Sequence, residues 1–146
     1  MSNLTAIQKV FAQVHSPSGF TFPQTVAALL ALGVTRYHID YTARTATAYK
    51  PNDGTDGNTQ IETDVSAIPA PTVVPGTAWR QEGVVAAIRR IQSDKAMTYA
   101  QFAQECVDSG VVGYLAFLTG KQVLYYSADG DVHVEWFPGA GPQAQQ

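Results

Sequence analysis

The sequence predicts one α+β domain made of two copies of a helix, helix and hairpin unit, with an antiparallel or mixed sheet flanked by helices. Three observations predict it: a self-match at an offset of 77 residues, matched signals for helix starts and ends, and strand-type segments after each helix end. The chain has 146 residues, of which 45% are apolar. This is the size of a single domain that can bury a core.

The self-match lies between positions 16 to 49 and the positions 77 residues further along the chain. It contains 8 identities in 34 positions, where background residue frequencies give about two. The identical pairs are Ser16 and Ser93, Thr21 and Thr98, Gln24 and Gln101, Gly33 and Gly110, Val34 and Val111, Tyr37 and Tyr114, Thr42 and Thr119, and Tyr49 and Tyr126. We interpret this pattern as an internal duplication with pseudo-twofold symmetry.

The matched positions are those that begin and end a helix. Thr21 to Gln24 and Thr98 to Gln101 both have the sequence of a capping box, in which the Thr and Gln side chains satisfy unpaired backbone N–H groups. Gly33 and Gly110 end these helices, because glycine adopts the left-handed conformation of a helix C-terminus without steric cost. The two helices are therefore predicted to begin and end in the same way.

The other elements follow from hydrophobic periodicity and turn residues. An earlier helix is predicted over Leu4 to Val14 in the first copy and over Ala78 to Gln92 in the second. The predicted strands are Thr35 to Tyr41, Thr45 to Lys50 and Gln60 to Thr63, then Val112 to Leu118, Gln122 to Ser127 and Val132 to Phe137. A turn is predicted at Asn52-Asp53-Gly54.

We expect a single domain over residues 1–138, with the first repeat at about 3–63 and the second at about 78–138. The connector, residues 64–77, contains Pro69, Pro71 and Pro75, which do not fit a helix interior or a central strand. Residues 139–146 are Gly, Pro, Ala and Gln without periodicity, which predicts a disordered tail.

Charge and cysteine content exclude several functions. Only 14% of residues are charged and the net charge is −3, so no basic surface is expected to bind nucleic acid or anionic lipid. No apolar run is long enough to span a bilayer. Cys106 is the single cysteine; it lies on the apolar side of a predicted helix, where a buried inert thiol is expected. We expect a cytoplasmic protein without a cofactor.

The second half resembles the YdfO-like family of prophage-associated proteins, often labelled "phage envelope protein", whose function is unknown. The residues that carry the resemblance are Arg90-Ile91-Gln92, Thr98-Tyr99 with Phe102, Glu105-Cys106, Gly110-Val111, and Tyr125-Tyr126 before Gly130. The first half is similar through Phe22-Pro23 and the run from Leu32 to Tyr37. After Gly110 the family tends to have an aromatic residue and a Val-Asp step, where this chain has Tyr114 to Phe117. The resemblance implies a fold family and no activity.

A polar cluster is predicted on the strand Thr35 to Tyr41. Side chains alternate between the faces of a strand, so Arg36, His38 and Asp40 share one face. His38 and Asp40 match the start of a two-histidine, one-carboxylate metal site, with His133 or Glu135 as the third ligand. The alternative is that the cluster lines the solvent face of an antiparallel strand.

The equivalent strand of the second copy is apolar. At an offset of 77, Leu115 and Phe117 replace His38 and Asp40. An exposed apolar strip is typical of an interface, so we predict a homodimer or a protein partner at Leu115 and Phe117. The alternative is that the connector or the tail covers this strip.

The matched tyrosines are candidates for a ligand site. Tyr37, Tyr49, Tyr114 and Tyr126 are predicted to line a cleft where the two copies meet, since tyrosine suits a mostly apolar pocket with a few polar groups. The alternative is that these rings pack in the core. His15 follows the first helix near its C-terminal end, where the helix dipole favours a cation, so we expect it to cap the helix rather than to act in catalysis.

Repetition without a catalytic motif favours a non-enzymatic binding or interaction module. Two other functions stay open. One is a small metal-dependent enzyme that uses His38 and Asp40, and the other is a phage accessory or structural protein, which rests on the resemblance.

Overall fold

The computed structural model describes residues 3–17, 19–53 and 57–142. In this part of the chain, two helices precede three strands, and the same order then repeats. The helices are α1 (Ala6–Val14), α2 (Phe22–Ala31), α3 (Gln81–Ser93) and α4 (Tyr99–Asp108). The strands are β1 (Arg36–Asp40), β2 (Thr45–Asp53), β3 (Thr59–Ala67), β4 (Val111–Phe117), β5 (Gln122–Ser127) and β6 (Val132–Trp136).

The predicted helix signals are confirmed. Thr21 and Thr98 each close a capping box at the start of α2 and α4, and Thr5 does the same for α1. Gly33 and Gly110 follow α2 and α4 with φ values of +87° and +93°, a conformation in which a side chain would be strained. These local signals mark the start and the end of α2 and α4.

The six strands form one antiparallel sheet in the order β3-β2-β1-β4-β5-β6. The predicted α+β class is confirmed, and the sheet is antiparallel rather than mixed. Its centre is the pairing of β1 with β4, where His38 lies directly opposite Leu115. The internal duplication itself stays a prediction.

Two strands of the first half are longer than predicted. β3 continues to Ala67 and so includes the first residues of the predicted connector. β2 continues through Pro51 to Asp53, where a turn was predicted. Proline is tolerated at this point because the pairing of β1 with β2 ends at Tyr49, which leaves β2 paired with β3 alone. Gly54 of the predicted turn lies outside the described residues.

The core lies between the helices and one face of the sheet, which we call the helix face. The helices pack in two pairs, α1 with α2 and α3 with α4. Phe11 of α1 contacts Tyr37 at a ring-centroid distance of 5.2 Å, and Phe102 of α4 contacts Tyr125 at 6.4 Å. The side chains that alternate with the buried ones point to the other side of the sheet, which we call the open face.

Cys106 is completely buried in α4, as predicted. Burial raises the pKa of its thiol, so the nucleophilic thiolate is disfavoured. After β6 the chain turns back, and the Ala140 amide donates to the Phe137 carbonyl at 2.9 Å. Gln143 to Gln146, the end of the predicted tail, lie outside the described residues. None of the described helices has the length and apolar character needed to cross a membrane.

Candidate functional site

A cleft opens on the helix face of the sheet between the two helix pairs. Its volume is ≈ 880 Å³, within the range of sites that hold small molecules. Side chains from both helix pairs form its walls, and the end of β6 closes one side. The floor consists of Tyr37, Ile39, Tyr114, Val123 and Tyr125.

The floor is built by strand register. Ile39, Tyr114 and Tyr125 lie directly opposite one another on the adjacent strands β1, β4 and β5. The rings of Tyr114 and Tyr125 are 5.3 Å apart, and those of Tyr37 and Tyr114 are 6.2 Å apart. The floor is therefore a row of packed side chains, each at most 6% exposed.

A run of three tyrosine hydroxyl groups crosses this region. The Tyr99 hydroxyl lies 2.8 Å from that of Tyr114 and 3.3 Å from that of Tyr41. Burial raises the pKa of all three tyrosines. The hydroxyl groups therefore stay protonated, and they can donate and accept hydrogen bonds but do not act as phenolate nucleophiles.

Two wall residues occupy equivalent positions 77 residues apart. Phe22 is the first residue of α2 and Tyr99 is the first residue of α4, and both line the cleft. Phe22 also packs edge-on against Phe137 at 5.2 Å. Sequence reasoning missed both residues as site candidates, although the aromatic residue directly after each capping Thr was a usable signal.

His15 caps the C-terminal end of α1 and lines the cleft. Its Nδ1 lies 2.8 Å from the Phe11 carbonyl oxygen and donates to it. Its Nε2 is buried and has no hydrogen-bond partner among the described residues. Burial lowers the pKa of His15, so the ring is neutral at neutral pH. The predicted capping role is confirmed, but the ring is not the cation that a helix dipole favours, because burial outweighs the hydrogen bond to the Phe11 carbonyl.

Glu135, which lines one end of the cleft, belongs to a polar network on the helix face. His133 Nδ1 lies 2.7 Å from Gln81 Nε2 and accepts from it, so His133 Nε2–H donates to Glu135 Oε1 at 3.2 Å. Arg89 contacts Glu135 Oε2 at 2.7 Å. Only 16% of the Glu135 side chain is exposed, against 57% for Arg89, so the carboxylate is the more buried partner.

The predicted metal ligands do not come together. His133 and Glu135 lie opposite Tyr125 and Val123 on the helix face, whereas His38 and Asp40 alternate with the buried Ile39 and point to the open face. Within the described part of the chain, no three His, Cys, Asp or Glu side chains are grouped closely enough to hold a metal ion. The alternation of side chains across a strand therefore separates the predicted ligand set.

Asp40 has a local role instead. Its Oδ1 accepts hydrogen bonds from the backbone amides of Thr42 and Ala43, at 3.0 Å and 3.1 Å. This is an Asx-type turn, in which a side chain replaces a backbone acceptor. The carboxylate therefore stabilises the β1–β2 hairpin.

Two of the four predicted cleft tyrosines lie on the open face. Tyr126 Oη is 2.6 Å from His38 Nε2, and the Arg36 guanidinium lies 3.8 Å from the centre of the Tyr49 ring. The structure therefore brings Tyr37 and Tyr114 together in the cleft and places Tyr49 and Tyr126 on the opposite side of the sheet. The sequence match did not reveal this, because it identifies equivalent positions and not the face that each one occupies.

Leu115 and Phe117 also lie on the open face, where they pair with His38 and Arg36 of β1. Both are half-buried. Exposed apolar side chains continue from them onto the edge strand β6: Val132, Val134 and Trp136. The apolar strip predicted from the sequence is thus part of a larger apolar surface.

The fold and the cleft define a small α+β protein with an open antiparallel sheet, two helix pairs on one face and an aromatic cleft between the pairs. The chain belongs to the family described as a protein of unknown function (DUF1398), whose model matches residues 8–135. This match includes all four helices except the first two residues of α1, and all strands except the last residue of β6. No curated protein matches the chain.

Proposed function

We propose that this protein is a non-enzymatic binding module that holds a small, mostly apolar molecule in the cleft between its helix pairs. The observation that carries the proposal is the cleft itself, ≈ 880 Å³ in volume with an aromatic floor. Sites for small organic ligands have this size and this mixture of apolar walls with a few polar groups. The hydroxyl groups of Tyr99 and Tyr114, which line the cleft, can supply polar contacts to a ligand.

The binding of Nile red, a neutral apolar dye, tests this function. Ile91 is a half-buried residue of α3 that lines the cleft. Ile91→Gln replaces apolar contact area with an amide, so it is expected to weaken dye binding by about tenfold. Ile61 lies on β3, with 59% of its surface exposed, and Ile61→Gln is the matched control. Equal binding by the wild type and both variants, or no binding by the wild type, rejects the proposal.

The open face supports a second role, which is self-association. Leu115, Phe117 and the neighbouring apolar residues of β6 form a surface of the kind that marks interfaces. A second copy that stacks its own open face on this surface would bury it in the manner of two packed sheets. The homodimer predicted from the sequence is therefore part of the proposal.

The resemblance to YdfO-like proteins adds a narrower proposal, which is a prophage-derived accessory role. The residues around Thr98-Tyr99 and Tyr125-Tyr126 support it. It predicts that the protein is present in purified virions of a phage that encodes it, and its absence from them rejects a structural role. A cytoplasmic location is also proposed, supported by the single cysteine.

A further inference from the structure

The charge of the cleft gives information about its ligand. The ionisable groups that line it, besides the tyrosines, are His15, Asp94, Lys95 and Glu135. No arginine is among the described lining residues. Lys95 is exposed to solvent at the rim, where water screens its charge. The cleft therefore offers little fixed positive charge to an anionic ligand.

His15 adds no positive charge at neutral pH. Its Nδ1–H group donates to the Phe11 carbonyl oxygen. Its Nε2 has no hydrogen-bond partner among the described residues, so no acceptor there favours a second proton. Asp94 is directed into the turn before α4, where its Oδ1 accepts from the Ala96 amide at 2.9 Å. Glu135 is the more buried of the two acidic side chains, with 16% of its side chain exposed against 42% for Asp94.

Glu135 has two partners, the Arg89 guanidinium and the His133 Nε2–H group. Arg89 contacts it, but 57% of the Arg89 side chain is exposed, whereas 16% of Glu135 is. Water screens the exposed guanidinium more strongly than it screens the buried carboxylate. The carboxylate is therefore the member of this pair that faces the cleft, whose lining does not include Arg89.

The aromatic walls favour the same sign of charge. The face of an aromatic ring carries the negative end of its quadrupole, which attracts cations. Phe22, Tyr99, Tyr125 and Phe137 all line the cleft. A cation with an apolar body satisfies both the rings and the carboxylate, whereas an anion of the same shape satisfies neither.

We propose that the cleft binds a lipophilic organic cation, with its apolar body among the aromatic walls and its positive charge near Glu135. This proposal rests on the proposed function, since it names the class of ligand for the same cleft. It requires no chemical change in the ligand and no cofactor.

Two nearly isosteric ions of opposite charge test the proposal: tetraphenylphosphonium and tetraphenylborate. Binding of each to the full chain is measured by calorimetry, with Nile red as the neutral reference. The cation is expected to bind at least about tenfold more tightly than the anion, the size of effect that ring and carboxylate contacts give a desolvated cation. Equal binding, or tighter binding of the anion, overturns the cation proposal.

Two variants change the charge in opposite directions. Glu135→Gln is expected to reduce the preference for the cation, while Arg89→Gln, at an exposed position, is expected to increase it. Glu62→Gln on the edge strand β3 is the matched control and leaves the preference unchanged. If Arg89→Gln does not increase the preference, the assigned role of Glu135 is rejected, whether or not Glu135→Gln folds.

The outcomes separate this proposal from the function that it rests on. If Nile red binds and neither charged probe shows a preference, the cleft holds ligands and its selectivity for cations is rejected. If neither Nile red nor tetraphenylphosphonium binds, the proposed function and the cation proposal both fail.

Discussion

His38 and Tyr126 meet on the open face, with 2.6 Å between Nε2 and the hydroxyl oxygen. They do so although β4 lies between their strands and the register aligns Tyr126 with Asp40, two residues beyond His38. Gly113 makes this contact feasible. A Cβ atom at Gly113 would collide with the Tyr126 hydroxyl and with the Ile39 carbonyl oxygen. The matched position in the first half is Arg36, and there the Tyr49 ring packs against a guanidinium instead.

This relationship predicts that Gly113→Ala lowers the free energy of unfolding. The added methyl group must displace Tyr126 or the β1 backbone, at a cost of about 1–3 kcal/mol. Urea denaturation measures the change. Gly120→Ala is the control, because a Cβ atom there meets the Phe117 side chain at 3.5 Å, which is an ordinary contact. Equal stabilities of the two variants would show that Tyr126 is not held over Gly113.

Removing a hydroxyl from the tyrosine run is predicted to destabilise the cleft floor. Tyr114→Phe removes the partner that lies 2.8 Å from the Tyr99 hydroxyl. Loss of a buried hydrogen bond costs about 1–2 kcal/mol. Tyr49→Phe, on the open face, is the matched control and is expected to cost less than about 0.5 kcal/mol. The prediction fails if thermal and urea unfolding place both variants at the same stability.

The stability of the protein is predicted to depend on pH through His15. Burial lowers the pKa of His15 in the folded state below 6.5, its ordinary value, so the unfolded chain takes up the proton first. The free energy of unfolding therefore falls as the pH drops through 6.5 towards the folded pKa. His15→Leu cannot take up this proton, so its stability curve should be flatter between about pH 7.5 and about pH 5. Parallel curves for wild type and variant would contradict the assignment.

Self-association is predicted to require the apolar residues of the open face. The wild-type chain should scatter light as a dimer, and the double variant Leu115→Ser and Phe117→Ser as a monomer, because burial of this surface drives the contact. Circular dichroism checks that the variant is folded. Ile61→Ser, on the same face of β3, should remain dimeric. A monomeric wild type, or a variant that still dimerises, rejects the interface.

Local sequence signals predicted much of the fold. The capping boxes at Thr21 and Thr98 and the glycines at positions 33 and 110 act through their own backbone, so they were readable without tertiary information. β5 has the bounds that were predicted from its strand-type residues, Gln122–Ser127. β3 was predicted too short, because its side chains are mostly exposed and its length is set by pairing with β2.

The site was less predictable than the fold. Tyr37 and Tyr126 both belong to the matched tyrosines of the sequence, yet the cleft holds Tyr37 and the open face holds Tyr126. Strand order and register decide the face, and neither is encoded locally. For the same reason, His133 and Glu135 lie on the helix face, whereas His38 and Asp40 lie on the open face. The neutral state of His15 depends on burial by residues from other elements, which composition does not show.

The position of a bound apolar ligand shows whether the cleft between the helix pairs is the binding site. Methyl-labelled isoleucine spectra, recorded with and without Nile red, report on both faces of the sheet at once. Ile39, Ile88 and Ile91 line the cleft, whereas Ile61 lies on the open face. If the dye binds in the cleft, the methyl signals of the first three residues shift with ligand and that of Ile61 does not. Shifts confined to Ile61, or an absence of shifts at saturating ligand, would contradict it.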